Sequence, residues 1–238
     1  MDERATTRER IVSAAAALLA EGGRDAVSTR SVSKAAAVQP PTIYRQFGDM
    51  RGLLDAVAAD GFAGYLHRKT DRVRAADPVE DLRRGWDLHI EFGVAHPEIY
   101  QLMFGQPRPG AQPAAVRESF NVLRGLVTRV AEAGRLSVDV ERAMLMIHAA
   151  GCGVVLTLIA TLPEDRDPEL SSRTREAVFA AITTEETDES AGDAAEEERR
   201  TITRTVAFKA VLPEVAEILT PGERILLNEL LDRITQSA

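Results

Sequence analysis

Apolar residues recur at helical spacing along nearly the whole chain, and no stretch of useful length alternates with the period of two that a strand needs. The first stripe is Ile11, Ala14, Ala15, Leu18 and Leu19. It is opened by a cap at Thr6 or Thr7 and closed by Gly22 and Gly23, since glycine tolerates the left-handed geometry that ends helices. Ser28 caps a short second helix with Val32, Ala35 and Ala36. A third starts at Pro40 and Pro41, where missing amide hydrogens cost least, and Asp49 caps a long fourth carrying Leu53, Leu54, Val57, Phe62, Tyr65 and Leu66. Past Asp77–Pro78 the pattern predicts helices at 79–95 and 97–104, split by His96–Pro97, and then at about 114–134, 139–161 and 171–183. Two more follow near 199–219 and 222–235, separated by Pro221–Gly222. The expected fold class is all-α.

Two stretches break the pattern. Residues 105–113, GQPRPGAQP, predict a loop. Residues 185–198, EETDESAGDAAEEE, hold eight acidic residues and no basic one, too little apolar surface to order themselves, and predict a flexible acidic linker. The chain then divides into a three-helix head at 1–49, containing a helix-turn-helix pattern at 28–47, and a longer helical region at 50–238.

Bulk composition narrows the function classes modestly. The 238 residues are 45% hydrophobic and 28% charged, ordinary for a soluble chain with a sizeable core. The single Cys152 excludes an intrachain disulfide and a multi-cysteine zinc site, and the opening MDERATTRER has no apolar leader, so a reducing cytoplasm is expected. No cofactor or metal is expected. The net charge of -8 changes meaning once divided: residues 1–51 hold eight basic and six acidic residues, and the excess of acid lies beyond them. Duplex DNA attracts a local basic face, and an acidic body several screening lengths away repels it weakly.

The segment STRSVSKAAAVQPPTIYRQF, residues 28–47, reads as two short helices around a tight break. In a helix-turn-helix of this layout the first helix crosses the DNA backbone and the second enters the major groove. Gln39, Pro40, Pro41, Thr42 and Arg45 form the expected base-reading face: Gln can pair with adenine, Arg with guanine, and Thr and Pro can touch a thymine methyl. A solvated surface charge is the alternative for Arg45. Ser28, Thr29, Arg30 and Tyr44 suit phosphate contacts that fix the register.

These N-terminal residues resemble the DNA-binding domain of TetR-type (tetracycline-repressor-like) transcriptional regulators. The resemblance rests on Arg8-x-x-Ile11, the helix-ending Gly22-Gly23, and the run Thr42-Ile43-Tyr44-x-x-Phe47 followed by Leu53-Leu54. It implies an all-helical homodimer in which 50–238 is a regulatory, ligand-binding and dimerisation region, with regulation by a small molecule. It also implies that Tyr44 contacts phosphate and that Phe47 packs the recognition helix onto the head. The chain departs from the pattern at three places. Ala37 stands where the family usually has glycine, Pro41 replaces a small residue, and Met50 replaces a lysine that would touch phosphate, with Arg51 a partial substitute.

Residues 143–162 form an uncharged run of twenty, the length of a bilayer span. His148, Thr157 and Thr161 dilute it and no positive cluster flanks it, so a helix buried in the body, with no membrane partner, is the expected reading. Small residues Ala149 to Gly153 would allow close approach of the same helix from a second copy. The Gly151-x-Gly153 pair lacks the third glycine and the strand of a dinucleotide loop. Trp86, His89, Phe92, Tyr100, Met103, Phe104 and Phe120, with His148, are candidates to line a pocket for an apolar or aromatic effector; ordinary core packing is the alternative.

No hydrolase elbow, zinc-protease motif or phosphate-binding glycine loop is present, so no enzyme is expected. The expected function is a cytoplasmic homodimeric repressor on a palindromic double-stranded operator, released by a small-molecule effector. A helical enzyme with an incidental helix-turn-helix, and an architectural DNA-binding protein without effector, are the alternatives.

Overall fold

The computed structural model describes residues 6–70, 75–105, 110, 112–184, 194–215 and 218–236. Among them eleven α-helices follow one another with two short 3-10 turns. An isolated antiparallel bridge between Leu136 and Thr183 is the only extended pairing among these residues. The chain forms two compact units, Met1–Arg72 with Glu91–Ser119, and Val73–Ile90 with Phe120–Ala238.

The first unit opens with α1 (Thr7–Ala26), whose cap is reciprocal: the Thr6 amide donates to Glu9 Oε2 at 2.7 Å and the Glu9 amide donates to Thr6 Oγ1 at 3.2 Å. Helical geometry lapses at Gly22 and Gly23 (φ 65°), as the glycines predict, and one further turn runs on to Ala26. Next come α2 (Thr29–Ala35), α3 (Pro40–Phe47) and α4 (Met50–Thr70). Asp49 caps α4 by accepting from the Gly52 amide at 2.7 Å. Their core is Ile11, Val12, Ala15, Leu19, Val27, Val32, Ala36, Ile43, Leu53, Leu54 and Val57. Ile99 and Leu102 of α6 (Pro97–Phe104) pack against it, so the head's core draws on α4 and α6 as well as its first three helices.

Two details fix α4. At Gly61 an added Cβ would lie 3.2–3.4 Å from the Ile99 side chain, so α4 and α6 meet at that glycine. One turn on, Phe62 and Tyr65 stack with Phe92, with ring centroids 4.8–5.5 Å apart and all three side chains buried. Phe92 lies in α5 (Pro78–Ala95), whose residues up to Ile90 belong to the second unit.

The second unit is built from that part of α5, α7 (Ala114–Glu132) from Phe120 onward, α8 (Val140–Ala160), α9 (Leu170–Ile182), α10 (Ala194–Val211) and α11 (Pro221–Gln236). Asp139 caps α8 by accepting from the Arg142 amide at 2.9 Å. Ala143, Met144, Ile147, Gly151, Val154, Val155 and Leu158 make its buried face. Leu145 and Leu156 are 61% and 37% exposed on the other. This helix, expected to be covered, is long and apolar enough to cross a membrane by length and composition, yet one face is packed and the other stands open within a single chain.

Helix α10 corrects the predicted linker. Its N-terminus takes in residues 194–198, because alanine and glutamate are good helix formers and acidic side chains suit the positive end of the helix dipole; residues 185–193 lie outside the described set. The helix predicted to reach 219 gives way to a 3-10 turn at Leu212–Val215, where Pro213 cannot donate to the ladder.

Candidate nucleic-acid interface

Ser28 and Ser31 cap α2 reciprocally: the Ser31 amide donates to Ser28 Oγ at 3.1 Å and the Ser28 amide to Ser31 Oγ at 2.9 Å. The Ser31 hydroxyl also donates to the Ala26 carbonyl at 2.7 Å, which ties the start of α2 to the end of α1. The turn into α3 passes through Ala37 at φ 51°, the left-handed region where glycine is favoured. Helix α3 begins on Pro40 and Pro41 as expected, with Gln39 as a cap residue whose side chain makes no capping bond. Gly48 at φ 78° ends it and turns the chain into α4.

The expected DNA-binding residues stand on α2, α3, their caps and the first turn of α4, each exposed or half-buried. Ile43 is fully buried, while Gln39, Pro40, Pro41, Tyr44 and Arg45 are exposed and Thr42 is half-buried. Pro41 and Arg45 lie one turn apart and share an outward face. Tyr44 lies on the flank toward α2, its hydroxyl 3.0 Å from Thr29 Oγ1. That bond holds a phenol and a hydroxyl side by side beside the exposed Ser28 and Arg30. Arg51, in the first turn of α4, is exposed, but Met50 is not: its side chain packs against the head's core.

Charge pairing separates the two units. In the second, Arg129 pairs with Asp81, Arg135 with Asp77 at 2.9 Å, Arg83 with Glu176 at 3.1 Å, and Arg175 with Asp87. Burial pushes the Asp81 carboxyl upward, yet the Ala75 amide and Arg129 together hold it below its ordinary value. The Arg83 guanidinium likewise holds Glu176 low. On the head, by contrast, Arg8, Arg10, Arg30, Lys34, Arg45 and Arg51 form no ion pair with any described carboxylate. Three of these cations, Arg30, Lys34 and Arg45, stand on the two short helices, with Arg51 at the start of α4 and Arg8 and Arg10 on α1.

Arg8, which the sequence marks only as the start of Arg8-x-x-Ile11, makes a contact that its motif does not state: its guanidinium lies over the Phe47 ring, 5.1 Å from the centroid. The two residues are distant in sequence, and only helical phase on both α1 and α3 could have linked them.

The eight pocket candidates do not form one cluster within either unit. Phe92, Tyr100, Met103 and Phe104 belong to the first unit: Phe92 completes the Phe62–Tyr65 stack, and Tyr100 stacks on Phe104 with centroids 4.8 Å apart. Trp86, His89, Phe120 and His148 belong to the second. Trp86 is buried, donates to Ser171 Oγ at 3.1 Å and meets Phe179 edge-on. His148 stacks on Phe120 at 4.4 Å, with Cys152 Sγ 3.5 Å from its Nδ1. An added Cβ at Gly151 would touch His89 and Trp86 at 3.5–3.7 Å, so these rings converge on the middle of α8. Burial lowers the His148 pKa from its ordinary 6.5, leaving a neutral imidazole that can donate or accept. Among the described residues no group of three or more His, Cys, Asp or Glu is placed to hold a metal ion.

Two family profiles match this chain. Bacterial regulatory proteins of the tetR family match over residues 11–57, and the tetracyclin repressor-like C-terminal domain over residues 82–172, together more than half of the chain. No curated protein matches it. Among solved structures, a protein of unknown function from Rhodococcus sp. RHA1 is similar with a TM-score of 0.63 and 21% identity, covering 77% of this chain and 98% of that one. The fatty acid degradation regulator FadR from Bacillus halodurans gives a TM-score of 0.56 at 19% identity over 75% and 95% of the two chains. A substituted TetR from Acinetobacter baumannii AYE in complex with minocycline gives 0.54 at 20% identity, over 71% and 90%. At these identities the structures attest the fold, while the two profiles fix the lineage. The chain belongs to the tetR family of bacterial regulatory proteins, and is a DNA-binding transcription regulator rather than an enzyme.

Proposed function

We propose that the chain is a cytoplasmic, homodimeric repressor that reads a palindromic operator and leaves it when a small apolar or aromatic molecule binds the second unit. The observation that carries the operator half is the set of cations without an ion pair on α2, α3 and the start of α4 (Arg30, Lys34, Arg45 and Arg51), on a head whose geometry is set by the reciprocal Ser28–Ser31 cap and the Thr29–Tyr44 bond. Ser28, Thr29, Arg30, Tyr44 and Arg51 hold phosphates; Gln39, Pro40, Pro41, Thr42 and Arg45 meet base edges. Two heads occupy successive major grooves, roughly 34–36 Å apart.

The open face of α8 supports the dimer. Leu145, Ala149, Gly153 and Leu156 follow one another at steps of four and three residues, all exposed, and the small ones let a second helix approach closely. His89, Phe120 and His148, half-buried around α8, offer stacking surfaces and a neutral hydrogen-bonding ring to an effector. The effector acts by favouring a conformer whose heads are wrongly spaced, and its power is bounded by its differential affinity for the two conformers.

Mapping of bound sites across the source genome tests this directly. The expected result is a short inverted repeat near one or a few genes, bound in vitro by the full-length protein, with Arg45→Ala weakening that operator far more than random duplex. Binding spread without sequence preference would instead mark an architectural protein. Equal weakening on both duplexes would remove Arg45 from the base-reading face.

A further inference from the structure

We propose that Arg8 is a further DNA-contacting residue: held over the Phe47 ring, it carries the line of phosphate-binding groups past the end of the recognition helix and onto α1. This rests on the reading of α2 and α3 as the DNA-binding surface. Tyr44 and Phe47 are three residues apart on α3 and therefore neighbours on one flank of that helix. Tyr44 is anchored at one end of the flank by Thr29, and Arg8 lies on Phe47 at the other. Thr29, Tyr44, Phe47 and Arg8 thus form one continuous edge running from α2 across α3 to the first turn of α1.

The chemistry of Arg8 fits a phosphate. A guanidinium held over an aromatic ring still has N–H groups directed away from that ring, free to form the paired bonds that phosphate oxygens accept. Arg8 is exposed and pairs with no described carboxylate. Its neighbour Glu9, which could have neutralised it, is committed to the Thr6 amide at 2.7 Å. The stack also reduces the side-chain freedom that an exposed arginine would lose on binding. Helix α4 opens with the core-packed Met50, so on the side of the head next to Phe47 the available cations are Arg51 and Arg8. Arg10, two residues along, lies on the other side of α1, in an open groove of about 540 Å³ lined with Ser13, Ala17 and Ala35, away from this edge.

The test uses a duplex enriched from a random-sequence pool by the full-length protein, titrated at several salt concentrations. Arg8→Gln is expected to melt like the parent, to bind more weakly, and to lower the slope of log K against log salt by about 0.9 for each phosphate contact removed. Arg8→Lys, which keeps the charge, is expected to retain most of that slope. Arg10→Gln, an equal loss of charge off the edge, is expected to leave the slope unchanged. An unchanged slope in Arg8→Gln, even with weaker binding, would show that Arg8 only packs Phe47 and would overturn the proposal. So would an equal fall in slope for Arg10→Gln, since the effect would then be one of net charge. Failure of the parent to enrich any duplex sinks the DNA-binding reading itself, an outcome separate from either result for Arg8.

Discussion

Ala37 sits at φ 51°, where a Cβ costs about 1–2 kcal/mol that glycine does not. Glycine loses more freedom on folding, which offsets part of the gain. Ala37→Gly is therefore expected to stabilise the head by about 0.5–1 kcal/mol and raise the thermal midpoint by a few degrees. A melt of the two proteins side by side decides it; an equal or lower midpoint refutes the strain. His148 gives a second residue-level prediction. Its pKa is lowered by burial from 6.5, so the unfolded chain takes up that proton at higher pH than the folded one. The associated stability is complete above 6.5 and is lost as pH falls below it, until the folded imidazole protonates too. His148→Gln is expected to flatten this part of the stability profile between neutral and mildly acidic pH. The Asp81 contribution is separable, being present above 3.8 and lost as pH falls further through its lowered folded value.

At the scale of elements, the junction of α3 and α4 is the tightest in the head. A Cβ on Gly52 would stand 2.1 Å from the Phe47 carbonyl oxygen, a distance no side chain can accept, and the obstacle is backbone. Gly52→Ala is expected to cost about 2–3 kcal/mol and to weaken operator binding beyond what the lost stability explains, because α3 must tilt. Denaturant unfolding and duplex titration of the same variant measure both. Much at this scale was readable from sequence, since caps and breakers act locally. Thr6, Ser28 and Asp49 open their helices as their side chains dictate, Gly22 and Gly23 interrupt α1 one turn before it ends, and Pro97 opens α6. The faces of α3 were likewise readable, because spacing within one short helix decides that Ile43 turns inward while Pro41 and Arg45 turn outward. The pocket candidates show where local signals stop: α5 runs through both units, so Trp86 and Phe92, less than two turns apart, pack with different partners. Arg8 on Phe47 was illegible for the converse reason: their contact depends on how α1 crosses α3, which no local signal states.

Across the whole molecule, net acidity coexists with nucleic-acid binding because the acids and bases are spent differently. The second unit uses its arginines internally, in pairs such as Arg129–Asp81 and Arg83–Glu176, while the head keeps its cations unpaired. The same unit leaves Leu145 and Leu156 of α8 open, which is costly for a lone chain in water. Replacing both with Glu is expected to convert a dimer into a folded monomer and to reduce operator affinity by orders of magnitude, since each head then binds without its twin. Light scattering gives the mass and duplex titration the affinity; a dimer that survives the double substitution places the interface elsewhere.

The seam where Gly61 faces Ile99 has its own consequence. Three carbons of one isoleucine already lie within 3.2–3.4 Å of where a methyl would go, so Gly61→Ala works as a shim that forces the isoleucine or the helix to yield by tenths of an ångström. The shaft it pries on is the one that carries the reading head. Position 61 is thus expected to act as a trimming screw for the seating of α4 on α6, from a residue that is not among those proposed to meet operator or effector.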